Sequence, residues 1–223
     1  MMHQTVLILD FGGQYKELIA RRVRECNVYS EVYPGDISIG KIKALRPIGI
    51  ILTGGPHSVY AKDAPKPDAE LFHLGIPILG ICYGAQLIAQ MNGGRVEPCS
   101  ISEYGRRKIK ITADSPLFEG LDKEQIVLMS HTDQIQELPE GFFVTASSET
   151  CPNVAIESVE KSLYGVQFHP ETELTIHGEQ IIRNFLYQIC HAEGDYTLEN
   201  FIGEQIRSIR EQIGDEKVIL GLS

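Results

Sequence analysis

The 223-residue chain is 43% hydrophobic and 22% charged, enough apolar material for a buried core in one large or two small domains. Its formal net charge of −10 argues against nucleic acid or an anionic membrane as the main partner and favours small molecules or another protein. No apolar run approaches the roughly 20 residues that span a bilayer. The N-terminus lacks the basic-then-apolar pattern of a signal peptide, so a cytoplasmic location is expected.

Taken in chain order, Thr5–Asp10 reads as a strand and Tyr15–Cys26 as a helix, with Leu18, Ile19, Val23 and Cys26 at helical spacing. Val28–Tyr33 reads as a second strand, and Ile37–Leu45 as a short helix stopped by Arg46 and Pro47. Ile48–Thr53 is a continuous apolar strand of the kind buried on both faces. Pro67–Leu74 is helical. Pro77–Ile81 is another buried strand, followed at once by a helix from Tyr83 to Asn92 that Gly93 and Gly94 end. This order predicts an α/β fold: a doubly wound, mostly parallel, flavodoxin-like sheet with helices on both faces.

From Arg95 to Val166 the texture changes to strands and turns, which predicts a smaller antiparallel extension. The candidate strands are Arg95–Pro98, Arg107–Ile111, Ile126–Ser130, Gly141–Ser147, Val154–Ser158 and Ser162–Gln167. A helix follows from Gly178 to His191. His191–Asp195 reads as a linker, Thr197–Gln212 is amphipathic, and Lys217–Leu222 begins a new strand. Residues 1–191 are therefore expected to form one domain. Residues 192–223 are expected to be a linker and the truncated start of another.

Cys26, Cys82, Cys99, Cys151 and Cys190 are odd in number and widely spaced, matching neither a disulfide framework nor a zinc ribbon; no metal site is expected. Cys82 has a distinctive setting. A buried strand runs into Gly80-x-Cys82-x-Gly84 and straight into a helix, the nucleophile-elbow arrangement with Cys in place of Ser. Side chains two residues either side of such a turn would collide. The helix N-terminus favours thiolate, and the Tyr83 N–H is left free for a developing oxyanion. The competing reading is a buried structural thiol.

A second constellation is Gly165-Val-Gln-Phe-His169-Pro-Glu171. Alternation along 164–169 delivers His169 at a strand end, and Glu171, two residues on, is placed to orient the imidazole. In the third, Ile50–Thr53 ends in Gly54-Gly55-Pro56, so Gly54 and Gly55 are candidates for a second oxyanion donor at the carboxyl edge of the sheet. No phosphate-binding glycine motif is present. Gln86, one helical turn beyond Cys82, can reach a substrate over the sulfur. Ser130-His131-Thr132-Asp133 is polar after an apolar strand and can supply backbone or side-chain contacts, and His131 rivals His169 as the base for Cys82.

These three motifs, in this order, resemble those of the class I (triad-type) glutamine amidotransferases, over about residues 4–190. Within that class, Leu9–Tyr15, Leu18–Arg24 and Gly54–Val59 are similar to the GMP synthetase family. Val218–Ser223 resembles the strand that leads into that family's ATP-pyrophosphatase domain. The resemblance implies a Cys82–His169–Glu171 triad and an oxyanion hole at Gly55 and Tyr83; the placement of Gly54, Gln86, Ser130 and His131 makes them the candidate substrate contacts. The resemblance also implies glutamine as substrate and no cofactor in this domain. A C-terminal synthetase domain would use ATP and Mg²⁺ to act on XMP, in a full-length homodimer. Gly13 stands where that family usually has Ser, and Thr172–Thr175 lacks its common Val and His. Asp133, Glu173 and residues 193–223, with seven acidic against three basic side chains, are candidate faces toward that partner.

Overall fold

The computed structural model describes residues 3–214 together with Glu216, Ile219 and Gly221. The strand expected over 217–222 lies largely outside those residues. The first half alternates as the sequence predicts: β1 (Thr5–Asp10), α1 (Lys16–Glu25), β2 (Tyr29–Pro34), α2 (Ile39–Leu45), β3 (Gly49–Leu52), β4 (Ile78–Ile81) and α3 (Tyr83–Met91). Ser38 caps α2 by accepting from the Lys41 N–H. The helix expected at Pro67–Leu74 is a 3₁₀ segment, Ala69–His73, capped by Asp68.

β5 (Arg95–Ile111), β6 (Glu124–Glu137), β7 (Phe143–Ser147), β8 (Ala155–Ser158) and β9 (Leu163–Val166) follow. Two of the expected strands, Arg95–Pro98 and Arg107–Ile111, are the ends of the single strand β5. Its pairing with β6 is irregular between Pro98 and Glu103. Most side chains from 99 to 108 are exposed, so no alternation marks this stretch as a strand. α4 (Gly178–Asn184) runs into a π-helical turn over Phe185–Ile189, and α5 (Leu198–Ile213) is the last helix.

All nine strands form one sheet, ordered β2-β1-β3-β4-β9-β8-β7-β5-β6. The five strands from β2 to β9 are parallel to their neighbours, and those from β9 to β6 pair antiparallel. The expected α/β class holds, with the antiparallel extension continuous with the parallel half. Successive residues of β1 serve opposite faces. Val6 and Ile8 pack with Ile19 and Val23 of α1 and Ile181 and Ile182 of α4. Leu7 and Leu9 pack with Ile42 of α2 and Leu87 and Ile88 of α3. Each such fully buried aliphatic side chain contributes about 1.5–3 kcal/mol.

The segment His191–Asp195, read as a linker, and the following Tyr196 are tied to the body. The Tyr196 N–H donates to the Asn27 carbonyl, and the Gln4 N–H to the Asp195 carboxylate. On α5, Phe201, Ile202, Ile206 and Ile209 remain exposed. No helix among the described residues is long and apolar enough to cross a membrane.

The strand order reverses beside β1, so the carboxyl ends of β1, β3, β4 and β9 open on one crevice. At β4–α3 the backbones come very close. A Cβ on Gly80 would lie 2.4 Å from the Gly84 carbonyl carbon, and one on Gly84 would lie 2.4 Å from the Leu52 carbonyl oxygen. Gly84→Ala should therefore cost about 1–3 kcal/mol, read as a lower urea midpoint. Gly40→Ala in α2, where a Cβ meets nothing within 4 Å, should leave the midpoint unchanged or raise it. Equal effects of the two substitutions would contradict the close approach.

Candidate active site

Cys82 stands between β4 and α3 with φ 53° and ψ −106°, a left-handed conformation that costs a non-glycine residue roughly 1–3 kcal/mol. The turn is held from both sides. The Cys82 N–H donates to the Val166 carbonyl at 2.7 Å, and the Cys82 carbonyl accepts from Ala85 and Gln86 at 3.1 Å. The thiol is thereby presented above the first turn of α3, whose leading N–H groups at Tyr83 and Gly84 have no intrahelical acceptor. The Sγ atom lies 3.7 Å from the Ser130 carbonyl and 3.6 Å from the Gln167 side-chain amide.

His169 comes three residues after β9, and its N–H donates to Leu128 of β6 at 3.1 Å. Its Nδ1 lies 2.8 Å from Glu171 Oε1, and both side chains are buried. Tyr15 packs edge-on against the imidazole at 5.4 Å, while Arg22 Nε donates to the Glu171 carbonyl at 3.0 Å. Thr172 and Thr175 donate their hydroxyls to the His169 carbonyl at 3.1 and 2.7 Å. The 172–175 stretch thus braces the imidazole. Burial works against a charged His169, but the facing Cys82 thiol and the Glu171 carboxylate outweigh it and raise its pKa to about 10. Burial pushes the thiols of Cys26 and Cys99 up to about 11 and that of Cys151 to about 12.

Two cavities meet at Cys82. The larger, about 440 Å³, is walled by Gly12–Lys16, Thr53–Pro56, Ser130, His169 and Glu171. Thr53 shapes it by accepting from the Phe11 N–H at 3.0 Å, joining the loops after β1 and β3. A Cβ at Gly54 would sit 3.4 Å from His169 Cε1, and one at Gly13 only 2.5 Å from the Gly54 carbonyl oxygen, so this backbone has no room for Ser at 13. The smaller cavity, about 310 Å³, is lined by Gly55–Ser58, Tyr83, Gln86, Tyr104 and residues 130–133.

The structure thus brings Cys82, His169, Glu171, Gly54, Gly55, Tyr83, Gln86, Ser130 and His131 to one place. His131 is turned away from the sulfur: Nδ1 lies 3.0 Å from the Asp133 carbonyl and Nε2 3.0 Å from Glu103. That orientation removes it as a rival base. Asp133, read both as part of the polar 130–133 contact segment and as a partner-facing acid, lines the smaller cavity at 6% exposure, held by Ser58 and by Tyr60 at 3.0 Å. No local motif marks Asp133, Ser58 or Gln167, because their partners are distant in sequence.

Glu171→Gln should lower the His169 pKa, followed by NMR titration of the ring. The folded value of about 10 exceeds the ordinary 6.5, so the stabilisation is complete below about pH 6.5 and is lost as pH rises through about 10. The unmodified chain should outlast the variant in thermal melts at neutral pH, with the gap closing in strong base. A pH-independent gap would contradict the ion pair.

The family model for glutamine amidotransferase class-I matches residues 7–189. Two glutamine-hydrolyzing GMP synthases are similar along nearly the whole chain. That of Caldanaerobacter subterraneus subsp. tengcongensis is 52% identical over 99% of this chain and 43% of its own length. That of Acetivibrio thermocellus is 55% identical over 100% of this chain and 44% of its own length. The chain therefore spans less than half the length of these relatives. Among solved structures, a GMP synthase subunit protein from Thermoplasma acidophilum superposes with a TM-score of 0.73 at 31% identity, covering 95% of this chain and 99% of the other. A Thermotoga maritima glutamine amidotransferase shares the fold at a TM-score of 0.68 and 17% identity, covering 86% of this chain and 100% of the other. By the extent of the family match and the Thermoplasma likeness, this chain belongs to the class I glutamine amidotransferases.

Proposed function

We propose that the chain is the glutamine-hydrolysing domain of a GMP synthetase, releasing ammonia from the glutamine side chain through a Cys82 thioester. One observation carries the reading: a cysteine on a left-handed strand-to-helix turn faces an imidazole bonded to a buried carboxylate, at the meeting of two cavities.

In this reading His169 takes the Cys82 thiol proton, and the thiolate attacks the carboxamide carbon. A C–S bond forms, and backbone N–H groups of Gly55 and Tyr83 hold the oxyanion; losing one such donor typically costs roughly 10²–10³ in rate. His169 then protonates the departing nitrogen, the C–N bond breaks, and ammonia leaves a glutamyl thioester. Water attacks the thioester, His169 takes its proton, and glutamate is released with the thiol restored. Glu171 keeps Nδ1 engaged so that Nε2 faces the sulfur.

The amino-acid end of glutamine fits the smaller cavity. Asp133 is the carboxylate there and suits the α-ammonium group, while Gly54, Gln86, Ser130 and His131 complete the contacts. Glutamine hydrolysis by these residues calls for no cofactor. We assign residues 1–191 to this domain and residues 192–223 to the linker and start of a synthetase domain. ATP and Mg²⁺ activate XMP in that domain, and ammonia then yields GMP. The complete enzyme is expected to be a cytoplasmic homodimer.

Ammonia release from glutamine should vanish in Cys82→Ala and fall about 10²–10⁴-fold in His169→Ala. In the complete enzyme, Cys82→Ala should abolish GMP synthesis from glutamine while sparing synthesis from added ammonia. Retained glutamine-dependent synthesis would overturn the assignment. Asp133→Asn should raise KM for glutamine roughly 10–100-fold, since a hydrogen bond to a charged group is worth about 1.5–3 kcal/mol, and alter kcat little. A fall in kcat at constant KM would remove Asp133 from substrate recognition.

A further inference from the structure

Beside the smaller cavity lies a second buried cluster, whose side chains take no part in the bond-making steps of glutamine hydrolysis. His131 Nδ1 is 3.0 Å from the Asp133 carbonyl, which can only accept, so Nδ1 carries the ring proton. Nε2 then presents its lone pair to Glu103 Oε2, also 3.0 Å away, with the two side chains 1% and 2% exposed. Two acceptors this close in a dry interior require a cation between them, either a proton or a metal ion. Cys151 supplies a sulfur to the same spot: its Sγ, a Glu103 oxygen and a His131 nitrogen all lie within 4.8 Å of one another. Arg107 Nε, 3.9 Å from Glu103 Oε1, adds counter-charge without entering the gap.

We propose that Glu103, His131 and Cys151 form a binding site for one divalent transition-metal ion of the zinc type. The donor set of imidazole nitrogen, carboxylate oxygen and thiolate suits a borderline-soft ion. Bonds of roughly 2.0–2.2 Å in a tetrahedral arrangement hold neighbouring N and O ligands about 3.3 Å apart, so Nε2 and Oε2 need move only a few tenths of an ångström. The outer partners of such a site are in place. Nδ1–H is fixed by a backbone carbonyl, and Glu103 Oε1 accepts from the Thr150 hydroxyl at 2.6 Å. Binding displaces the Cys151 thiol proton and the proton held between Nε2 and Oε2, both to solvent. Because His131 and Asp133 also line the smaller cavity, the ion fixes the 130–133 segment from behind.

Cobalt(II), titrated anaerobically into the reduced 223-residue chain, reads the site directly through thiolate-to-cobalt absorption in the near ultraviolet. One equivalent should give the band in the unmodified chain and equally in Cys82→Ala, and zinc should displace it. Cys151→Ala should lose the band. Thr150→Val, which keeps all three ligands, should weaken affinity roughly 10–100-fold. The proposal is overturned by the absence of a band in Cys82→Ala at millimolar cobalt, or by a band that persists in Cys151→Ala. Should Cys151→Ala fail to fold, the Cys82→Ala spectrum and the Thr150→Val affinity decide the matter.

Discussion

At Cys82 the chain leaves a buried strand and enters a helix within one residue, and the rest of the site depends on how that turn is held. A left-handed residue in this position persists only if its neighbours over-determine it. Gly80 and Gly84 let the first turn of α3 press against its own strand and against Leu52 of β3, while Val166 of β9 holds the Cys82 N–H. The strand order that places β4 between β3 and β9 is therefore what fixes the thiol in space.

That same order sets the electrostatics. β9 runs beside β4 and carries the chain to His169, and β6 receives the His169 N–H. Glu171 is 1% exposed, and among the described residues its Oε2 has no hydrogen-bond partner. A carboxylate so buried is compensated chiefly by the charge of the ring on Oε1. The imidazolium is favoured. The two threonines on the His169 carbonyl and Arg22 on the Glu171 carbonyl keep the pair from turning away.

Much of this was legible in the sequence because its signals are local. The β-α-β order, the glycines around Cys82 and the two-residue spacing of His169 and Glu171 each occupy a short window, and the structure assembles them as expected. The failures share a cause. Asp133 read both as a site contact and as a partner-facing acid, because nothing nearby in sequence announces Ser58 and Tyr60, 75 and 73 residues away. β5 read as two strands because its middle is solvated and shows no alternation. The competition between His131 and His169 turned on ring orientation, which Glu103 decides from 28 residues away. α5 shows the converse limit: its amphipathic pattern is plain, yet its apolar face is exposed in this chain, since periodicity does not say what covers a helix.

The central claim is that Cys82, of five thiols, is the one activated and addressed by glutamine. An electrophilic glutamine analogue followed by peptide mass mapping tests it most directly. The account predicts one modification per chain, on the peptide carrying Cys82, slowed by excess L-glutamine and strongly reduced in His169→Ala. Labelling spread over Cys26, Cys99, Cys151 and Cys190, or labelling of Cys82 that glutamine does not protect, would contradict it.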